Sequence, residues 1–294
     1  VMFSGSIVAL VTPMLPDGNI DYKGLEQLVS WHLQQGTAGL VIMGTTAEAA
    51  TINFVEQLDI IGRVVNQVSG QVPVLAGNGS NATAEGVSRT RELDKLAIDG
   101  FLTVTPFYNK PMQKGMLAHF QQVAAATSKP VLLYNVPGRT GVDLLPETVA
   151  ELATIDNIVG IKEATGSLIR LTELQQRCPT DFLLLSGDDA TSLAFMQGGG
   201  HGVISVTANV APAQMAKLCQ LALTGQFNEA KLLDDKLQGL HHQLFIESNP
   251  IPTKWALQRL ELIKSDFLRL PMTQLEPIHH RVIEQALQQA GLTA

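Results

Sequence analysis

The chain has 294 residues, 45% of them hydrophobic and 16% charged, with a formal net charge of −7. That is ample apolar material for a large core, and the acidic balance argues against a nucleic-acid partner, which needs a basic patch. No apolar run is long enough to cross a bilayer; residues 1–13 carry no basic residue or cleavage signal, so neither membrane insertion nor a secretory leader is expected, and the cytoplasm is the expected location.

The first buried strand is predicted at Ser6–Val11, followed by a helix with Leu25, Leu28, Val29, His32 and Leu33 on one face. The second, Gly39–Met43, precedes a helix read on Val55, Leu58, Ile61, Val65 and Val68. Strands follow at Val72–Ala76, Gly100–Thr105 and Pro130–Tyr134, with Leu117, Phe120, Val123 and Ala124 marking the helix before the last of these. Ile158–Ile161, Phe182–Leu185 and Gly202–Val206 complete the set, and Leu168, Leu171, Leu174 and Gln175 form a helical face between the first two. Each strand run is continuously apolar, as parallel strands buried on both faces are.

Strand alternating with helix eight times predicts right-handed βαβ units closing into an α/β (β/α)8 TIM barrel. An open doubly wound sheet is the alternative, but no GxGxxG fingerprint follows the first strand. Pro212–Thr224 completes the eighth helix, so residues 2–224 read as the barrel. Residues 225–294 read as a three-helix extension over Phe227–Ile246, Thr253–Ile263 and Leu275–Ala290, with Asn249-Pro250-Ile251-Pro252 as a break. Cys178 and Cys219 lie far apart without CxxC spacing and are expected to be reduced. The pairs His241-His242 and His279-His280 fall on helices with no HExxH pattern, and are expected to be solvated rather than metal ligands.

Barrel enzymes keep their chemistry at the C-terminal ends of the strands. Polar residues collect there: Gly44-Thr45-Thr46-Ala47-Glu48, Thr105-Pro106-Phe107-Tyr108-Asn109, Tyr134-Asn135, Arg139-Thr140, Lys162-Glu163 and Ser186-Gly187-Asp188-Asp189. Lys162 ends a buried strand, where desolvation can free its amine to attack a carbonyl carbon. If it faces the barrel interior so does Gly160, leaving space for its stem. The alternative is a structural lysine paired with Glu163 or an aspartate, and barrel geometry leaves both open.

Tyr134 ends the neighbouring strand, where its phenol could shuttle protons or merely cap a loop. Arg139 on a glycine-bounded loop suits a carboxylate, or is an ordinary surface arginine. Thr45 and Thr46 could bind a carboxylate, relay a proton or cap a helix.

Gly44-Thr45-Thr46, Tyr134-Asn135-Val136-Pro137-Gly138-Arg139-Thr140, Gly160-Ile161-Lys162-Glu163-Ala164-Thr165-Gly166 and Ser186-Gly187-Asp188-Asp189, in this order, resemble the dihydrodipicolinate synthase family of the N-acetylneuraminate lyase superfamily. The similarity runs from Met2 to the last helix. It implies that Lys162 forms an imine with pyruvate, whose enamine attacks L-aspartate 4-semialdehyde to give 4-hydroxy-tetrahydrodipicolinate for lysine and diaminopimelate synthesis. Tyr134, Thr45 and Tyr108 match the family's proton relay, with the Tyr108 equivalent reaching into a neighbour's site. Arg139 matches the anchor for the semialdehyde carboxylate, Thr46 a pyruvate-carboxylate contact, and Gly187 and Ile204 positions contributing backbone groups. The resemblance also implies a homotetramer built from dimers and no metal or organic cofactor beyond the covalent pyruvate imine.

Departures from the family pattern stand out at Ala47, Phe54, Gln57 and Phe107. Ala47 replaces a common glycine; if that position needs a positive φ, the methyl costs up to about 1 kcal/mol. Asn81 and Glu85 match regulatory ligands for the amino groups of lysine. Phe54 and Gln57, however, replace histidines and Phe107 a tyrosine, so weak or absent lysine inhibition is expected. Another pyruvate-dependent aldolase, acting on sialic acid or a 2-keto-3-deoxy sugar acid, would share Lys162 and Tyr134; Arg139 in its loop and the Thr-Thr pair favour the synthase. A catalytically silent barrel that binds a 2-oxo acid is the reading from a different class.

Overall fold

Each strand pairs in parallel with its predecessor in the chain, and the eighth closes onto the first. The computed structural model describes residues 2–292. Its strands are β1 (Gly5–Ala9), β2 (Gly39–Ile42), β3 (Val74–Gly77), β4 (Gly100–Val104), β5 (Val131–Asn135), β6 (Ile158–Glu163), β7 (Leu183–Ser186) and β8 (Gly202–Ser205). The helices that follow them are α1 (Tyr22–Gln34), α2 (Phe54–Val68), α3 (Thr83–Leu93) and α4 (Gln113–Ala124). After these come α5 (Pro137–Thr140) with α6 (Pro146–Leu152), then α7 (Leu168–Arg177), α8 (Ser192–Gln197) and α9 (Pro212–Leu223). This is the expected TIM barrel, with every strand within two residues of its predicted start.

The core has two layers. Phe3, Ile7, Ala9, Val41, Leu75, Leu102, Leu132, Tyr134, Leu183, Leu185 and Ile204 fill the barrel, while a larger cluster packs the outer strand faces against the helices. Local signals set the helix starts: Asp21 caps α1, and Asn53 with Glu56 forms a reciprocal capping box on α2. That box turns Gln57, Ile60, Ile61, Val64, Val65 and Val68 inward and leaves Val55 77% exposed, against the face expected for it. Leu168 and Gln175 are likewise exposed on α7, whose buried residues are Leu171 and Leu174.

One irregularity decides the interior. Between β5 and β6 the register slips, Val131 pairing with Ile158 and Leu132 with Gly160. Val159 packs against the interior cluster, and a Cβ on the next residue, Gly160, would meet Leu183 and Leu132 of the same cluster. Two consecutive residues thus face inward. This bulge resets the alternation, so that Ile161 packs outward and Lys162 turns into the barrel.

The extension comprises α10 (Phe227–Gln243), α11 (Ile251–Arg259) and α12 (His280–Gln289). Helix α11 starts two residues earlier than expected because Pro252 occupies its first turn, and it ends early where Glu261 takes a positive φ of 59°. Helix α12 starts late, after a 3-10 turn at Pro277–His279.

His241 corrects the expectation of a solvated residue. It is 2% exposed and its Nδ1 lies 2.8 Å from Thr207 Oγ1, tying α10 to the end of β8. His280 stacks on Trp255, whereas His242 is exposed as expected. Cys178 and Cys219 are free thiols, Cys219 buried and Cys178 half-buried. Among the described residues no helix is long and apolar enough to cross a membrane.

Candidate active site

A cavity of about 230 Å³ opens at the C-terminal ends of the strands. Thr45, Thr46, Tyr134, Arg139, Lys162 and Gly187 line it, together with Asn249 and Phe245 from the extension. A wider groove between α1 and α2, around Trp31 and Arg63, lies outside the barrel and away from these groups.

Lys162 and Tyr134 face each other across the β5–β6 ladder, in register. The lysine Nζ stands 4.3 Å from the centroid of the tyrosine ring, and the residue is only 5% exposed. Among the described residues its amine makes no ion pair or hydrogen bond. The alternative of a Lys162–Glu163 pair fails on direction. Glu163 points to the helix layer, accepting from Thr165 N at 2.8 Å and Asn135 Nδ2 at 3.1 Å, with Arg170 nearby. Burial pushes the Glu163 carboxyl above its usual range, against those hydrogen bonds and the Arg170 charge.

Gly187 makes room for this lysine. A Cβ there would come within 2.6 Å of Ala164 Cβ and 2.9 Å of Lys162 Cε, closer than real Cβ atoms approach. Its N–H is already given to the Glu163 carbonyl at 2.7 Å, so only its carbonyl remains for a ligand. Ile204 belongs to the interior layer and does not line the cavity.

The Thr45-Thr46 loop is a 3-10 turn, Thr45–Ala47, after Gly44. The residue with positive φ is Glu48, at 60°, and not Ala47, so the feared methyl strain is absent. Ala47 is buried within the turn, its carbonyl accepting from Thr12 Oγ1 at 2.9 Å. Glu48 is buried too and forms an ion pair with Lys254 of α11. Its other oxygen accepts the Arg269 backbone N–H at 3.1 Å. Burial lowers the Lys254 pKa while the Glu48 charge opposes the shift. This pair ties the extension to the underside of the threonine loop.

Above it, Asn249 Nδ2 donates to Thr46 Oγ1 at 2.8 Å, and the Asn249 carbonyl accepts from Arg139 Nη2 at 2.9 Å. Sequence reasoning gave Glu48 only a place on the rim and Asn249 only a place in a helix break, and did not notice Lys254. A lysine in an otherwise apolar turn (Ile251-Pro252-Thr253-Lys254-Trp255-Ala256-Leu257) was the available signal for one of them.

The model of the Dihydrodipicolinate synthetase family matches residues 2–290. The chain belongs to this family. It is 52% identical over 291 residues to the 4-hydroxy-tetrahydrodipicolinate synthase of Pseudoalteromonas atlantica, covering 99% of both chains. It is 51% identical over 291 residues to that of Escherichia coli K12, covering 99% of this chain and 100% of the relative. The crystal structure of the chloride-inhibited dihydrodipicolinate synthase of Acinetobacter baumannii, complexed with pyruvate, superposes with a TM-score of 0.96. It is 45% identical, with 98% of this chain and 99% of that one covered.

Two groups of dihydrodipicolinate synthase positions lie outside the cavity. Tyr108 is 88% exposed, does not line its own chain's cavity, and has a positive φ of 74°, a rare conformation for a residue with a bulky side chain. Asn81 and Glu85 sit at the start of α3 beside a self-satisfied polar cluster. Glu85 accepts from Ser80 Oγ at 2.8 Å and from Arg89 at 2.8 Å, and these two, the serine first, hold its carboxyl below the usual range. Arg89 in turn donates to Gln57 Oε1 at 3.1 Å and lies 5.2 Å from the centre of the Phe54 ring. Asn81 Nδ2 donates to the Phe107 carbonyl at 3.1 Å.

Proposed function

We propose that this lyase condenses pyruvate with L-aspartate 4-semialdehyde through an imine on Lys162, giving 4-hydroxy-tetrahydrodipicolinate for lysine and diaminopimelate synthesis. The observation that carries the reading is a buried lysine amine without an ion pair, at the end of a barrel strand beside Tyr134.

The amine attacks C2 of pyruvate, and loss of water leaves the imine. Removal of a C3 proton gives the enamine, which forms the new carbon–carbon bond with the aldehyde carbon while the aldehyde oxygen takes up a proton. The substrate's own amino group then displaces Lys162 as the ring closes. Tyr134 and Thr45, both lining the cavity, carry protons between these steps. Thr46 binds the pyruvate carboxylate and Gly187 offers its carbonyl, while Ile204 packs in the layer below, under the cavity's floor. Arg139, exposed at the mouth, receives the semialdehyde carboxylate. The chemistry runs on the lysine amine alone, with no metal or organic cofactor.

The exposed Tyr108 completes the relay in a neighbouring copy, so the working unit is a dimer, and a homotetramer built from dimers is the assembly; the cytoplasm is its place. The Asn81–Glu85 region binds lysine weakly, because Arg89 already occupies the carboxylate that a lysine amine would need. A titration of activity with L-lysine is expected to show little inhibition; half-inhibition at sub-millimolar lysine would contradict this.

Product formation from pyruvate and the semialdehyde tests the reaction itself. Turnover of sialic acid or a 2-keto-3-deoxy sugar acid, with none of the semialdehyde, would replace this reading with a sugar-acid aldolase.

A further inference from the structure

The cavity owes one of its walls to the extension. Asn249 is 3% exposed and Thr46 2% exposed, so water does not compete for the hydrogen bond between them. An amide nitrogen can only donate. Thr46 Oγ1 therefore accepts from Asn249, and its own hydrogen is left to point elsewhere. Among the described residues the Thr46 hydroxyl has no second partner. Asn249 Oδ1 lies 3.4 Å from Thr253 Oγ1, a donor, so both ends of the amide are matched. The same residue's carbonyl holds Arg139 Nη2.

We propose that Asn249 is a positioning residue that fixes the Thr46 hydroxyl as a donor to the carboxylate of the bound 2-oxo acid. The inference rests on the pyruvate reading above and adds a specificity element supplied from outside the barrel. With the amide in place, Thr46 presents a hydrogen, and an anion is favoured over a neutral carbonyl compound. Without it, the hydroxyl rotates freely, and its lone pairs face the carboxylate for much of the time.

Steady-state kinetics on the full-length protein separates this role from a merely structural one. Asn249→Leu, which keeps the branched heavy-atom skeleton and removes the donor, is expected to raise the pyruvate KM about tenfold while kcat at saturating pyruvate stays within about threefold. Thr46→Val is expected to do the same, and the double variant to be no worse than the poorer single one, because both remove one shared interaction. Should Asn249→Leu fail to fold, Asn249→Asp, which accepts but cannot donate, must raise the KM at least as much. An unchanged pyruvate KM in a folded Asn249 variant, or losses that multiply in the double variant, would overturn the role of Asn249. A wild-type protein that does not turn over pyruvate would instead defeat the underlying reading.

Discussion

Lys162 and Tyr134 are paired residues of adjacent strands, and the lysine Nζ sits 4.3 Å from the centre of the tyrosine ring. The ring thus forms part of the wall around the amine, while the hydroxyl is free to act on substrate. Tyr134→Phe keeps the wall and removes the hydroxyl. General acid–base catalysis contributes about 100-fold to 10⁴-fold, so kcat is expected to fall at least about 100-fold with the melting temperature unchanged. Steady-state rates and a thermal melt check this; a variant within threefold of wild type would remove Tyr134 from the relay.

Gly187→Ala asks whether the space beside Lys162 matters. The new methyl would lie 2.9 Å from Lys162 Cε. Such overpacking costs about 1–3 kcal/mol, and a misplacement of about 1 Å at a reacting group costs about 100-fold in rate. The expected result is a folded, slightly destabilised protein whose kcat/KM is down about 100-fold. Unimpaired activity would mean that Lys162 does not use this side of the cavity.

His32 makes stability depend on pH. Burial lowers its pKa from 6.5 to about 3, and it is fully enclosed beside Thr37. Above pH 6.5 folded and unfolded states are both neutral at this residue, and it contributes no pH dependence. Below 6.5 the unfolded chain takes up a proton that the folded chain refuses, so stability falls as pH falls towards 3. The slope is about 1.4 kcal/mol per pH unit, or about 2 kcal/mol between pH 6.5 and 5. Urea denaturation at pH 7 and pH 5 should show His32→Leu losing about 2 kcal/mol less than wild type over that interval. An equal loss in both would show that His32 is protonated in the folded protein.

The barrel was legible because eight apolar runs separated by helical spacing admit few topologies, and the rim residues follow from strand ends alone. The orientation of Lys162 was not legible: alternation puts it on the same face as Gly160 but does not say which face that is. The bulge at Val159 that turns both inward leaves no mark in an apolar run. The conformation at Ala47 was left conditional because a turn type cannot be read from a Thr-Thr pair; the positive φ falls one residue later, on Glu48. Asn249 and Lys254 reach the site over more than 200 residues of sequence, a proximity that only packing of the extension creates. His241 was misplaced for the same reason: its burial comes from contact with Thr207, not from its own helix.

Borohydride reduction in excess pyruvate tests the central claim most directly. Peptide mass spectrometry of the reduced protein should show one pyruvyl adduct, on Lys162, and none in Lys162→Met. A folded wild-type protein left unmodified at Lys162, or an adduct carried by another lysine, would contradict the imine mechanism and with it the assignment of the cavity.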